Sequence, residues 1–537
     1  MGRFVLTDKK QILKSASLIT GITVVSRILG YVRDQRITAL LGTSLAGDSF
    51  YLAYRIPNLL RRLVGEGSMT ASFIPVFTSY LADKSRSEVW DFANRLFWTV
   101  ALLLSTIAVA GMLFSPQVIH FFTFFGQAPQ KWDQAVTLNR IMFPYIFFIS
   151  LSALSMAILN CFHVFGLPAS TPILLNASII AFSTEMVWKR VGDPATALAF
   201  GVLVGGALQL LIQIPELVRH GMDFKWGFSL RHPGIRAVGR LMVPGFFGIG
   251  IYQINFVVDT VFWTAAKMPA GSLTSGYVAD RVMELVLGGY AIAVATAILP
   301  MMSHQAAAHD YEGMKRTFAF ALRIVSYITI PAAVGLVVLR VPIIRVLFEH
   351  GRFQASSTEL TARALLYYAL GLPAFAGIKL IVPGFYSTQD TRTPVVVAAY
   401  ALVVNLGFNA LFLKSLFGTF QNGGPAFATS IAAYFNFLML FVVFRQRFGH
   451  LGTFTIVQSF FKISVASLGM GALCWALLRI SHFQDQTRFI TRLGLFAGIL
   501  TAATVAYIGV TWLLRCPEVE EVWGIARRAG PRPLMGG

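Results

Sequence analysis

Residues 26–34 read SRILGYVRD, and residues 47–67 read GDSFYLAYRIPNLLRRLVGEG. Both stretches lie in apolar surroundings, yet both carry charges at helical spacing. Residues seven apart return to nearly the same face of an α-helix, so Arg27 and Asp34 share a face. An unpaired charge at the centre of a bilayer costs at least about 2.5–3.5 kcal/mol. These charges must therefore pair with one another or line a water-filled cavity.

Apolar runs of roughly 20 residues recur along the chain, each long enough to cross a hydrocarbon core of about 30 Å as a helix. We predict 14 spans, and hence an all-α polytopic membrane protein. The spans cover residues 15–40, 46–80, 92–114, 137–160, 171–190, 196–218, 237–267, 277–303, 317–347, 359–385, 394–415, 424–444, 458–480 and 489–515. The first two carry charges and are expected to score poorly on hydropathy alone. No signal peptide is expected, because arginines interrupt the first span and no small-residue cleavage site follows it.

The composition excludes several other classes of protein. Hydrophobic residues make up 56% of the chain and charged residues only 13%, against roughly 25% charged residues in soluble proteins. The net charge of +20 would suit a nucleic acid, but the spans leave no room for a soluble basic domain, so no nucleic-acid partner is expected. Cys161, Cys474 and Cys516 are too scattered for a disulfide scaffold or a zinc site.

Loop charge predicts the orientation. If the N-terminus is cytoplasmic, most Lys and Arg residues of the connecting segments fall inside, as the positive-inside rule requires. An even number of spans then places the C-terminal tail inside as well. The inside set includes Lys9, Lys10, Lys14, Arg219, Lys225, Arg231, Arg236, Arg445, Arg447, Arg527 and Arg528.

The chain also repeats itself weakly at an offset of about 223–226 residues. Phe73-Ile74-Pro75 recurs as Ile298-Leu299-Pro300, and Thr171-Pro172 recurs as Thr393-Pro394. Because the offset covers six spans, we predict two parallel six-helix lobes around a central cavity, an arrangement typical of transporters. The predicted parts are a cytoplasmic N-terminus (1–14), an N-lobe (15–220), a C-lobe (237–444), two extra helices (458–515) and a cytoplasmic tail (516–537).

Arginines dominate the intramembrane charges. The second span carries Asp48, Arg55 and Arg62 at intervals of seven, with Glu66 one turn further on, and the eighth carries Asp280, Arg281 and Glu284. The alternative to a cavity is that these groups form mutual salt bridges near helix ends. We favour a cavity lining for Arg27, Arg33, Arg62 and Arg281, since nearby acids are fewer, and treat Arg55 as undecided.

Several guanidinium groups around one aqueous cavity make an anion site. Arginine presents a planar fork of donors that matches phosphate oxygens and keeps its charge at any physiological pH. The expected substrate is therefore a phosphate or diphosphate. The sequence has no GxxxxGK[ST] loop and no HExxH motif, so an enzyme of those types is not expected.

Several of these motifs are similar to those of the MurJ (MviN) family. The similarity rests on SRILGYVRD (26–34), GDSFYLAYRIPNLLRRLVGEG (47–67), FIPVF (73–77), YVADRVMEL (277–285) and PGFYSTQDTRTP (383–394). It extends over essentially the whole chain. It implies a lipid II flippase of the multidrug/oligosaccharidyl-lipid/polysaccharide exporter superfamily.

By this resemblance, the essential cavity arginines of the family correspond to Arg27, Arg33, Arg62 and Arg281. Its functional acids correspond to Asp34 and Asp48, and the family has Lys or Arg at the position of Arg55. The last two spans resemble those that form a groove for the polyprenyl tail.

Some members of the family bind sodium, whereas no other cofactor is implied. The matching positions resemble Asp259, Asn405, Asn409 and Thr429. A hard cation prefers oxygen ligands, ideally with carboxylate charge. Asn409 replaces a carboxylate, which leaves one acid and a weaker site. The alternative is that these amides form hydrogen bonds between helices.

The resemblance implies a transporter of the bacterial plasma membrane that acts as a monomer among membrane lipids. It would move the undecaprenyl-diphosphate-linked muropeptide, lipid II, from the inner to the outer leaflet. One alternative is an exporter of another oligosaccharide-lipid. The other is a membrane glycosyltransferase, which needs an acidic site at a membrane face; the longest predicted outer loop, 115–136, offers only Asp133.

Overall fold

The computed structural model describes residues 2–62, 69–124, 129–486 and 488–521, and these residues form helices joined by short connections. The α-helices are α1 (Gly2–Leu41), α2 (Leu45–Arg61), α3 (Thr70–Asp83), α4 (Arg86–Leu113), α5 (Ser115–Phe122), α6 (Asp133–Met142), α7 (Tyr145–Cys161), α8 (Gly166–Phe182), α9 (Glu185–Val191), α10 (Pro194–Leu211), α11 (Ile214–His220), α12 (Pro233–Trp263), α13 (Ser272–Ala307), α14 (Tyr311–Phe348), α15 (Ala355–Ser387), α16 (Arg392–Lys414), α17 (Phe417–Phe420), α18 (Gly424–Phe448), α19 (Thr453–Ile480) and α20 (Phe489–Leu513).

Within the described residues, nine helices are long and apolar enough to cross a membrane, or eleven if two bent helices each count as one span. One bent pair is α8 with α9, which meet at 70°, and the other lies within α13. This confirms the multi-pass helical class. The predicted spans 15–40, 46–80 and 237–267 are not among the eleven, so the count of 14 stays a prediction.

The chain divides into two compact units. The first contains residues 1–274 and 350–354, and the second contains 275–349 and 355–537. Helix α12, which the repeat assigns to the C-lobe, belongs to the first unit. It packs there because Thr264 Oγ1, just after α12, donates to the Phe122 carbonyl at 2.7 Å, and Gly234 lies against the ring of Phe92. Compactness and the sequence repeat thus divide the chain at different places, and the lobe boundaries stay a prediction.

Small residues bring α8 and α10 together in the first unit. A Cβ atom at Gly201 would lie 3.2 Å from the Ile179 Cα, and one at Gly205 would lie 3.0 Å from the Leu175 Cα. Ser178 Oγ donates to the Gly201 carbonyl at 2.8 Å across the same contact. Glycines four residues apart form a flat helix surface, which allows close packing without a hydrophobic driving force.

The last two helices pack on α14 in the second unit. Tyr507 Oη of α20 donates to the Tyr327 carbonyl at 2.7 Å, and Tyr327 Oη lies 3.0 Å from Thr511 Oγ1. In the same unit, Arg323 Nη1 lies 3.2 Å from Glu518 Oε1, and Ser459 Oγ donates to the same carboxylate. These helices are therefore fixed by buried polar contacts as well as by apolar packing.

A polar network around Asp390 stabilises the connection between α15 and α16, which lies outside the predicted spans. Burial would raise the pKa of Asp390, but hydrogen bonds from the Thr393 hydroxyl and backbone N–H, together with Arg447, lower its pKa to about 2. Because Arg447 belongs to the last turn of α18, the network ties two helix ends together within the second unit.

Gly205→Ala should destabilise the protein, because the added methyl group would meet Leu175 backbone. Overpacking of this kind costs about 1–3 kcal/mol. Gly407→Ala in α16 is the matched control, since nothing lies within 4 Å of its added Cβ, and a helical Gly→Ala change there should stabilise slightly. Thermal unfolding of the two purified variants in detergent checks this. Equal melting temperatures would contradict the packing described for α8 and α10.

Candidate functional site

The buried charges of α1 form an ion pair. Arg33 Nη2 lies 2.6 Å from Asp34 Oδ1, and Arg33 Nε donates to the same oxygen at 2.9 Å. Arg33 Nη1 donates to Asn176 Oδ1 of α8 at 3.0 Å, and Asn176 Nδ2 donates to the Ser26 carbonyl at 3.1 Å. Arg33 and Asp34 are each only 6% exposed. The structure therefore places Arg33 in a buried salt bridge, the alternative to the cavity lining that we favoured from the sequence.

Arg55 packs from α2 onto an aromatic stripe of α12. Its guanidinium carbon lies 4.3 Å from the centre of the Phe256 ring and 5.6 Å from that of Trp263. Its Nη1 donates to Thr260 Oγ1 at 2.8 Å. The negative face of an aromatic ring attracts a cation, most strongly where water is excluded. Asp259, which is also buried, lies on the same stripe because residues three and four apart share a helix face.

Asp48 accepts three hydrogen bonds from one turn of chain. Gly271 N–H donates to Asp48 Oδ2 at 2.7 Å, while the Thr274 N–H and hydroxyl each donate to Oδ1 at 2.8 Å. Thr274 lies in the first turn of α13, so the carboxylate also faces the positive end of that helix. Gly271 has φ +86°, and a Cβ atom there would lie 2.4 Å from the Thr43 backbone. Asp48 therefore fixes the turn between α12 and α13.

The remaining arginines of the first two spans are more open. Arg27 is exposed, and within the described part of the chain its side chain has no hydrogen-bond or ion-pair partner. The same is true of the half-buried side chain of Arg62, judged against those described residues. The neighbouring Glu66 lies outside the described residues. Arg61 Nε, in contrast, donates to Asn58 Oδ1 at 2.8 Å.

The charges of α13 form a separate group in the second unit. Arg281 Nη1 lies 2.8 Å from Glu284 Oε2, and Arg281 Nε donates to the Tyr277 hydroxyl at 3.2 Å. The side chains of Arg281 and Glu284 remain 34% and 42% exposed, and the adjacent Asp280 is half-buried. This ion pair is therefore open to a ligand in a way that the Arg33–Asp34 pair is not.

The four residues of the predicted sodium site lie in different units. Asp259 belongs to the first unit, whereas Asn405, Asn409 and Thr429 belong to the second. Asn405 Nδ2 donates to Thr429 Oγ1 at 3.1 Å, and Asn409 Nδ2 donates to Asn405 Oδ1 at 2.9 Å. No cluster of three His, Cys, Asp or Glu residues is found within the described ranges. The three residues of the second unit offer sodium no carboxylate, and the Asn405 and Thr429 side-chain oxygens already accept hydrogen bonds, so these three alone make a weak sodium site.

Several partners of the predicted residues were not foreseen from the sequence. Asn176 and Thr260 lie in apolar spans far along the chain from the arginines that they bind. The signal available was a single amide or hydroxyl in an otherwise apolar helix, which is too common to identify a partner. Phe256 and Trp263 were likewise indistinguishable from packing residues, because aromatic residues make up 13% of the chain.

Buried ion pairs and open arginines inside apolar helices define a polytopic membrane transporter. The fold agrees with this class. An inward-facing multidrug resistance MATE family transporter of the MOP superfamily superimposes with a TM-score of 0.64, covering 80% of this chain and 96% of that one. At 14% identity this similarity shows the fold alone.

The chain belongs to the MurJ family of lipid II flippases, whose sequence model matches residues 37–493. The "Probable lipid II flippase MurJ" of Vibrio cholerae is 36% identical over 526 residues, which cover 95% of this chain and 98% of the relative. The "Lipid II flippase MurJ" of Burkholderia cenocepacia is 32% identical, with 92% and 96% covered. A solved lipid II flippase MurJ in an inward closed conformation has a TM-score of 0.74 at 27% identity, covering 93% and 98%. The comparisons confirm the predicted family. They also confirm that the chain is a transporter and not the glycosyltransferase considered as an alternative.

Asp48→Asn should lower the stability of the protein. An amide keeps one accepting oxygen but turns an NH₂ group towards backbone donors, so at least one buried N–H or O–H loses its acceptor. Such a loss costs about 1–3 kcal/mol. Thermal unfolding by size-exclusion chromatography measures it. Asp83→Asn, at the exposed C-terminal end of α3, is the control and should melt like the parent protein; an unchanged melting temperature for Asp48→Asn would mean that the three hydrogen bonds do not anchor the turn.

Proposed function

We propose that this chain moves lipid II from the inner to the outer leaflet of the bacterial plasma membrane. The observation that supports the proposal is membership of the lipid II flippase family over residues 37–493. Lipid II carries a diphosphate between its polyprenyl tail and its muropeptide head. The protein must therefore bind a charged head group inside the membrane and release it on the other side, with access alternating between the two faces. Both termini face the cytoplasm in this proposal, and a single chain is sufficient for transport.

Arg27, Arg62 and Arg281 make the first contacts with the diphosphate in this proposal. Arg27 is exposed, and neither its side chain nor that of Arg62 has a partner among the described residues. Arg281 is paired with Glu284, but one third of its side chain is exposed. A guanidinium group can bind two phosphate oxygens at once, and the diphosphate can replace Glu284 as the partner of Arg281. Glu284 and Asp280 then keep the arginine charge compensated when no lipid is bound.

Arg33 and Arg55 act differently, because both are buried against protein partners. Arg33 can reach the lipid only by leaving Asp34 and Asn176, and Arg55 only by leaving Thr260 and two aromatic rings. We assign to them the role of linking helices: α1 to α8 through Arg33, and α2 to α12 through Arg55. Asp34 and Asp48 support the same helices.

Arg27→Ala and Arg281→Ala should abolish flipping without changing the melting temperature, since neither side chain is buried. Complementation of a flippase-depleted strain measures function, and labelling of lipid II at the outer leaflet measures flipping. Arg190→Ala, an exposed arginine in the last turn of α9, is the control and should complement fully. Arg33→Ala should lose function together with stability, because it leaves Asp34 buried without its cation, a change that costs about 3–5 kcal/mol. Full complementation by Arg27→Ala and Arg281→Ala would contradict the assignment.

The membrane potential drives the transport in our proposal, without a coupling sodium ion. A potential of 100 mV, inside negative, contributes about 2.3 kcal/mol per charge that crosses the membrane, and it favours outward movement of an anionic head group. Asn405 donates to Thr429 and Asn409 donates to Asn405, and none of these three residues of the second unit offers sodium a carboxylate ligand.

Collapsing the potential in flippase-dependent cells should therefore stop the appearance of lipid II at the outer leaflet. Replacing sodium with choline at constant potential should leave the rate unchanged. The double substitution Asn405→Ala and Asn409→Ala further separates transport driven by the potential alone from sodium-coupled transport. Sodium coupling predicts that the substitution changes the sodium dependence of the rate, whereas our proposal predicts no such change. A rate that follows the sodium concentration at fixed potential would contradict our proposal.

A further inference from the structure

The connection between α11 and α12 forms an apolar edge that packs along α4 in the first unit. Trp98 Nε1 of α4 donates to the Phe224 carbonyl at 3.0 Å, and the Ser229 N–H donates to Thr99 Oγ1 at 3.3 Å. Between these two contacts the side chains alternate. Gly227 and Ser229 face α4, whereas Trp226, Phe228 and Leu230 are 69%, 49% and 63% exposed. Alternation with period two is typical of an extended segment with one face packed and one face free. We call residues 224–231 the strap.

The strap packs on α4 where the exposed surface of that helix changes from charged to apolar. The ion pair of Asp91 and Arg95 lies before the crossing, with Arg95 Nε 2.7 Å from the carboxylate. After the crossing, Leu102 and Leu103 are 45% and 58% exposed, as expected of residues that face lipid tails. At 1.5 Å per residue, the seven residues from Arg95 to Leu102 span about 10 Å. Exposed charge thus changes to exposed leucine within about 10 Å of helix, and the strap packs on α4 between these residues.

A pair of indole rings marks the same level. Trp98 of α4 and Trp226 of the strap lie with ring centres 4.8 Å apart. Tryptophan is enriched at the boundary between lipid tails and head groups, because its ring is apolar and its N–H is polar. Here Trp98 uses its N–H to hold the strap, which leaves the ring of Trp226 as part of the exposed edge.

Positive charge follows the apolar edge directly. Arg231 comes next after Leu230, and Arg236 and Arg240 lie one turn apart on α12, so they share a face. All three are exposed, and in the part of the chain that the structure describes their side chains have no hydrogen-bond or ion-pair partner. Nearby acids are already paired, since Asp223 binds Lys225 at 2.7 Å and Asp91 binds Arg95. The uncompensated charge is therefore positive.

We propose that the strap is an interfacial anchor, in which Trp226, Phe228 and Leu230 insert among lipid tails while Arg231, Arg236 and Arg240 bind the phosphates of anionic phospholipids. Apolar insertion with adjacent basic residues is the combination that holds a segment at an anionic membrane surface. The surface is distinct from the arginines assigned to the transported lipid, and the proposal stands whether or not the chain flips lipid II. A protein partner would also cover an apolar edge, but it would not require this edge to lie at the level where α4 enters the lipid.

The first test measures the depth of Trp226. The full-length protein and Trp226→Phe are placed in nanodiscs of phosphatidylcholine with phosphatidylglycerol, with bromine atoms near the head-group end or near the tail end of the chains. The difference between the fluorescence of the two proteins is the emission of Trp226. Bromine near the head groups should quench this emission strongly, and bromine near the ends of the tails should quench it weakly. If that component is quenched by aqueous acrylamide but by neither brominated lipid, the edge faces water or a protein and the proposal is wrong.

The second test measures the bound anionic lipid. Native mass spectrometry should detect phosphatidylglycerol retained by the parent protein, and the triple variant Arg231→Gln, Arg236→Gln, Arg240→Gln should bind it at least tenfold more weakly, since each interfacial cation contributes about fivefold. Arg190→Gln, Lys414→Gln and Arg488→Gln together form a control of equal charge on other exposed segments and should retain the lipid. Melting temperatures of both triple variants should match the parent, because all six side chains are exposed. Equal retention by the two triple variants would overturn the proposal.

Discussion

The cost of leaving a charge without a partner inside a hydrocarbon layer governs this structure. Each arginine of the first two spans must find an acid, an aromatic ring, a hydroxyl group or a polar ligand. The structure uses protein partners for Arg33 and Arg55. It leaves Arg27 and Arg62 without such partners among the described residues. The same physical requirement thus explains the links between helices and is the basis on which we propose where a diphosphate binds.

This distinction could not be made from the sequence. Arginines, acids and their helical spacing are visible in the residues themselves, as are the apolar runs that define the spans. The partner of an arginine is not visible, because Asn176 is 143 residues from Arg33 and Thr260 is 205 residues from Arg55. Periodicity describes which side of a helix a residue occupies, and only the tertiary structure decides what that side meets. The family and the helical class were therefore predictable, but the contacts of individual arginines were not.

Asp48 shows the same limit for an acid. Its spacing from Arg55 and Arg62 places the three residues on nearly the same helix face. In the structure its carboxylate accepts hydrogen bonds from two backbone N–H groups and one hydroxyl of residues 271–274. Those donors belong to the start of a helix, where N–H groups have no partner within the helix itself. The turn at Gly271, with φ +86°, gives no signal in hydropathy. The sequence therefore does not show that the Asp48 carboxylate anchors this turn.

A transporter that moves an anionic head group against lipid must keep its own charge low when the site is empty. In the function that we propose, Glu284 beside Arg281 meets this requirement, because a partly exposed carboxylate compensates the charge of an empty site and can be replaced by a phosphate. A deeply buried pair such as Arg33 with Asp34 could not exchange partners as readily, since separating it exposes two ions to a medium in which each costs several kcal/mol. Burial thus distinguishes the two ion pairs physically: the partly exposed pair can change partners at low cost, whereas the buried pair holds α1 against α8.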